Sequence, residues 1–104
     1  MIPDGIIASS IILVLSVIYF AFQPKSINGL YGYRTPMSRK SNKHWQFANE
    51  LASKILLFGS ISIFVFSAFA EFVVQKNSQN LVLIFFVACF LLTISVVEIK
   101  LRKL

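Results

Sequence analysis

The chain has 104 residues, of which 57% are hydrophobic and only 13% charged, and its net charge is +6. This length suits one domain and excludes a catalytic domain with a separate anchor, and the charged fraction is about half of the roughly 25% usual in soluble domains. The positive charge flanks apolar runs instead of covering a soluble face, and no nucleic-acid reader motif is present, so nucleic acid is not an expected partner and anionic headgroups are.

Residues 6–22 carry no charge, residues 55–74 carry only Glu71, and residues 81–97 carry none. Each run has the length that a hydrocarbon core of about 30 Å demands of a helix, so three membrane-spanning helices are predicted, with the lipid bilayer as first partner. The first run has Asp4 in place of a basic leader and no small-x-small site before Gln23, which points to a retained helix and not a cleaved signal. Six of the ten basic residues (Lys25, Arg34, Arg39, Lys40, Lys43, Lys54) lie in residues 23–54, and Lys100, Arg102 and Lys103 end the chain. Only Lys76 falls on the opposite side. The expected topology therefore has the amino terminus outside and the carboxyl terminus in the cytoplasm. Residues 75–80 suffice only to reverse direction, which makes the second and third helices antiparallel neighbours.

Between the first two runs, Asn28, Gly29, Gly32, Thr35 and Pro36 predict a structured turn. Tyr31 and Tyr33 interleave with its glycines and suit the headgroup level, and Arg34 offers a planar fork of donors for a phosphate or a carbonyl-rich turn. From Ser41 onward the pattern turns helical. At about 100° per residue, His44, Trp45, Phe47, Ala48, Leu51, Ala52 and Ile55 share one arc, opposite Asn42, Lys43, Gln46, Asn49, Glu50, Ser53 and Lys54. This predicts an amphipathic helix at the cytoplasmic interface that bends or continues into the second span.

In that span Ser60, Ser67 and Glu71 form a polar stripe that must face protein or water. Glu71 is expected to be satisfied structurally, by reaching the surface or Lys76. Gly59, Ser60, Ser67 and Ala70 are expected to let helices approach closely, within the chain or against a second copy in a homo-oligomer.

No enzyme assembles from these residues: His44 is the only histidine, and Asp4, Glu50, Glu71 and Glu98 are scattered. No metal-ligand spacing exists, and lone Cys89 forms neither a disulfide nor a cluster, so no cofactor is expected. The candidate binding residues, for a peptide or a lipid headgroup, are Arg34, Trp45 and Asn49, with Tyr33 and Lys54 beside them. For Arg34 and Trp45, simple anchoring at the interface explains the residue types equally well.

The string Asn28-Gly29-Leu30-Tyr31-Gly32-Tyr33-Arg34-Thr35-Pro36, followed by Ser41, Trp45, Ala48, Asn49 and Lys54, resembles the signature of the SdpI immunity family. In that family a G-[IY]-R-T-P turn precedes a W-x-x-[AT]-[NH] helix. Through the span layout the resemblance extends to most of the chain, which is similar to the signature unit alone, whereas the best known member has additional spans ahead of it. The resemblance implies a non-enzymatic, multi-pass protein of a bacterial cell membrane that protects its producer against a secreted antimicrobial peptide that permeabilises or depolarises the membrane. It also leaves open a membrane scaffold that recruits a cytoplasmic partner such as a transcriptional regulator. A small oligomeric transporter is a third reading, for which Glu71 stands too far from mid-membrane.

Overall fold

The computed structural model describes residues 3–75 and 77–104. Helix α1 spans Asp4–Ala21, α2 spans Asn42–Phe69 and runs directly into a π-helical turn, Ala70–Val74, and α3 spans Gln79–Arg102. All three are long and apolar enough to cross a membrane. An all-α chain is what a bilayer requires, because a helix satisfies its own backbone donors and acceptors where water is absent.

Local chemistry sets the helix ends. Ser41 is in an extended conformation, and its Oγ accepts the His44 N–H at 3.1 Å, giving α2 a serine N-cap. The π turn stops at Gln75, whose left-handed φ of 62° directs its N–H back to the Ala70 carbonyl. Lys100 and Arg102 occupy the last turn of α3, where cations complement the helix dipole.

No separate interfacial helix divides the first two spans among the described residues. The predicted surface helix and the second span are one uninterrupted α-helix from Asn42 to Phe69, because no glycine or proline occurs before Gly59 to break the hydrogen-bond ladder. At about 1.5 Å per residue its 28 residues extend roughly 42 Å, more than the hydrocarbon core needs. The buried face of its first half is also turned relative to the predicted apolar arc. Trp45, Ala48, Asn49, Ala52 and Ser53 are all buried together, while Phe47 and Leu51 are only half-buried. Small and hydrogen-bonding residues face the protein, and the helix's two-sided character serves internal packing.

The α2 helix is the centre of the bundle: it packs extensively on both α1 and α3, which touch each other far less. The molecule is 48 Å long and 17 to 23 Å across its other axes. Its core is correspondingly thin, with Ala48, Ala52, Val97 and Leu101 clustered near one end. Phe58, Val65, Phe72 and Leu91 point outward and are mostly exposed. An apolar exterior of this extent belongs against lipid.

Candidate binding site at the basic end

The carboxyl ends of α1 and α3 and the amino end of α2 meet at one end of the bundle, under the segment that joins α1 to α2. All of the described lysines and arginines lie toward this end. Asn28 begins the segment's ordered part, its Oδ1 accepting the Leu30 and Tyr31 N–H groups at 2.9 and 2.8 Å, so an Asx turn fixes the chain around Gly29. A Cβ at Gly29 would meet none of the described residues, whereas Gly32 adopts a φ of +110° and lies against Asn49 Oδ1 and Pro24 Cγ. Only glycine meets both demands at position 32. Thr35 and Ser38 then cap one another: Thr35 N–H donates to Ser38 Oγ at 2.8 Å and Ser38 N–H donates to Thr35 Oγ1 at 3.1 Å. This is the reciprocity of a capping box, built here with two hydroxyls around Pro36.

Asn49 holds the segment to the bundle. It is 1% exposed, and every hydrogen-bonding position of its amide is used. Oδ1 accepts from the Tyr33 N–H and from the Tyr19 hydroxyl, each at 2.7 Å, while Nδ2 donates to the Trp45 carbonyl at 3.0 Å and to the Tyr33 carbonyl at 3.4 Å. The Tyr33 hydroxyl continues the network, donating to Glu98 Oε1 at 2.9 Å. Burial, and then the hydrogen bond to Glu98, push the Tyr33 phenol above its ordinary range, so it stays a neutral donor. Trp45, fully buried, donates its indole N–H to the Pro24 carbonyl at 2.9 Å, and Gln46 Nε2 donates to the Lys25 carbonyl at 3.2 Å. One side-chain network thus joins α1, the turn, α2 and α3.

The structure therefore brings Tyr33, Trp45 and Asn49 together, but as a buried lock with little surface to offer a ligand. Arg34, the next residue along, differs from them. Its side chain is exposed and forms no hydrogen bond or ion pair with a described residue, and it stands at the mouth of a cavity of about 420 Å³ between the three helices. Lys54 is not part of this group: it projects from α2 and pairs with Glu50 at 3.1 Å, both side chains being at least half exposed. Such a pair contributes about 0 to 1 kcal/mol.

The predicted polar stripe lies toward the opposite end of α2. Ser60 and Ser67 are buried; Ser60 Oγ bonds to the Leu57 carbonyl, and Ser67 Oγ lies 2.8 Å from Ser78 Oγ. Glu71 Oε1 accepts both the N–H and the Oγ–H of Ser78, at 2.7 and 2.8 Å, capping the loop into α3. The expected alternative partner of Glu71, Lys76, lies outside the described residues. Gly5 of α1 packs against this cluster so tightly that a Cβ there would collide with Ser78 Oγ.

Several partners in these two networks were not expected from the sequence: Tyr19, Pro24 and Ser38 at the basic end, Gly5 and Ser78 at the other, and Glu98, which the sequence shows only as one of four scattered acids. Glu98 carried a signal, being the one acid near the end of the third apolar run. Tyr19 carried another, as a lone hydroxyl-bearing ring near the end of the first.

No solved structure matches the chain. A protein of Bacillus subtilis (strain 168), uncharacterized protein YfhL, is 26% identical over 98 residues, an alignment that covers 94% of this chain and 86% of the relative. The SdpI/YfhL family profile matches residues 25–98, which contain the whole turn, Trp45, Asn49 and Glu98. With most of its length matched and its signature turn locked onto three apolar helices, the chain belongs to the SdpI/YfhL protein family.

Proposed function

We propose that this protein is a non-enzymatic immunity protein of the bacterial cell membrane, with its amino terminus outside and its basic end in the cytoplasm, that protects the cell from a secreted membrane-active peptide. The observation that carries this reading is the family match over residues 25–98, since immunity is what the SdpI name implies. The division of labour in the turn supports it. Trp45 and Asn49 are spent on holding the segment, and Arg34 is the neighbouring charged side chain left free to meet a ligand.

The test is to delete the gene, expose cells to a panel of membrane-active peptides and follow membrane potential with a voltage-sensitive dye. The deletion strain is expected to depolarise at a lower concentration of at least one peptide, and the parental gene to restore resistance. Unchanged sensitivity to every peptide refutes immunity. It would favour a scaffold instead, for which the exposed Lys100, Arg102 and Lys103 at the end of α3 are the natural contact.

A further inference from the structure

We infer that the cavity at the basic end is a binding groove for one anionic phospholipid, with the headgroup phosphate on Arg34 and Tyr31 and an acyl chain lying toward mid-membrane. The groove occupies the gap that α1 and α3 leave over α2, lined by Tyr19, by Ala52 and Leu56, and by Phe90, Thr93 and Ile94. Residues 31–35 form its mouth. Its volume of about 420 Å³ lies in the range of small-ligand sites. Phe90 on its rim is 48% exposed, so the groove has an opening toward the lipid side.

Two features select the occupant. The first is polarity along the bundle axis. The mouth bears Arg34, Thr35 and the Tyr31 hydroxyl, outside the helices, whereas Leu56 lies a turn beyond Ala52 along α2 and Phe90 a turn beyond Ile94 into α3. A molecule that is polar at the basic end and apolar toward mid-membrane fits this order, and a lipid of the leaflet at that end already lies in that orientation. The second is charge. Arg34 has no partner among the described residues, and the backbone N–H groups of Tyr33 and Thr35 beside it are already taken by Asn49 and Ser38. Recognition therefore falls to the guanidinium, whose planar fork matches a phosphate, and to the Tyr31 hydroxyl, which has no partner among the described residues. Tyr31 is held in place edge-on to Tyr19, with ring centroids 5.8 Å apart.

This inference rests on the proposed function only for placing Arg34 at a leaflet surface; it does not require a toxin, and it is read on purified protein, so either can fail without the other. The full chain in a nonionic detergent is titrated with phosphatidylglycerol and with phosphatidylcholine of identical chains, and adducts are counted by native mass spectrometry. Both lipids offer Arg34 a phosphate, but the choline cation of phosphatidylcholine offsets that charge within the headgroup, so phosphatidylglycerol, with its net negative charge, is expected to bind roughly tenfold more tightly. Arg34→Gln should abolish that preference. Leu56→Trp, which fills the groove, should weaken both lipids while circular dichroism shows an unchanged melting profile, and Lys40→Gln, an exposed cation elsewhere at the same end, should change nothing. Equal binding of the two lipids by the parent chain would overturn the proposal. So would an equal loss in Lys40→Gln, which would mean a diffuse basic surface, or full competition by inorganic phosphate, which would mean a soluble-anion site. Displacement of the bound lipid by a toxin peptide carrying no anionic group would also count against it, since the groove would then be a peptide site.

Discussion

Asn49→Leu removes the lock while keeping a side chain of nearly the same shape, and it tests whether Asn49 is structural or a ligand contact. The substitution strands two donors that now point at Oδ1, the Tyr33 N–H and the Tyr19 hydroxyl, both at 2.7 Å. A buried donor left without a partner costs about 1 to 3 kcal/mol, so the pair costs about 2 to 6 kcal/mol. Hydrogen bonds between membrane helices average only about 0.6 kcal/mol, because the unfolded chain in lipid also finds partners, which sets a floor near 1.2 kcal/mol. Even the floor exceeds the ~0.5 kcal/mol scatter of surface changes. Leucine's larger methyl groups would also press on Gly32, which already lies against the amide. Trp45 is the only tryptophan, is fully buried, and is tied to the Pro24 carbonyl, so its emission reports on this end of the molecule. Purified Asn49→Leu protein should lose its blue-shifted Trp45 emission at a lower denaturant concentration than the parent, and its abundance in membranes should fall. Glu50→Gln, one residue along on the exposed side, serves as the control. A midpoint indistinguishable from the parent's, or normal abundance with protection abolished, would refute the lock and make Asn49 a contact residue.

Gly32→Ala and Gly29→Ala should part company: the first forces alanine into a φ of +110° against Asn49 and Pro24 and is expected to cost about 1 to 3 kcal/mol, whereas the second enters open space and should be within ~0.5 kcal/mol of the parent by the same Trp45 measurement. Equal effects would remove the argument for a glycine-specific turn. In α2, Ser67→Leu and Gly59→Leu should lower the melting temperature more than Phe58→Leu, because Ser67 is buried against Ser78, Gly59 faces the Cys89 thiol with no space for a side chain, and Phe58 is 67% exposed. For topology, a cysteine at exposed Asn77 in a Cys89→Ala background should react with an impermeant reagent applied to intact cells, and a reporter fused after Leu104 should be cytoplasmic. Ser78 is a poorer labelling site because it is buried under Glu71. Labelling of Asn77 only after lysis would reverse the proposed orientation.

The three spans were legible because length and hydropathy are properties of contiguous sequence: α1 and α3 match the first and third predicted runs to within about five residues, whereas the second run, 55–74, is shared between α2, which starts thirteen residues before it, and the π-helical turn that follows. The turn was legible for a similar reason, since Asn28, Gly32, Thr35 and Pro36 act on their immediate neighbours. The sense in which Asn49 matters was not. Its position relative to Trp45 marks it as unusual, but whether its amide meets a ligand or the protein depends on Tyr19, thirty residues earlier, and Tyr33, sixteen earlier. Hydropathy assigned Asn49 and Ser53 to the solvated face of α2, whereas tertiary packing buries them, because a polar group with all its bonds made inside the protein is no worse buried than exposed. Arg34 was identified by type, and its lack of a partner among the described residues emerged only once the groove and the surrounding hydrogen bonds were known.

The distribution of polar contacts along the bundle follows from its solvent. In water, apolar faces would hold three helices together; in lipid, hydrocarbon competes equally for those faces, so association relies on close packing and on hydrogen bonds. The chain meets this demand at both ends. Tyr19, Tyr33, Asn49 and Glu98 connect all three helices and the turn at the basic end, while Ser67, Glu71 and Ser78, pressed by Gly5, do the same work at the other. Between them the close approach of α2 to α3 at Gly59 and Cys89 depends on small side chains alone. Fixing the ends leaves the gap between α1 and α3 unfilled by side chains near the basic lock, and the same Tyr19 and Tyr33 that tie the helices form part of the wall of that gap. The residues that stabilise the fold therefore also set the shape of the groove, so substitutions in the lock should alter ligand binding through geometry, whereas Arg34 can be changed on the exposed mouth with the lock intact.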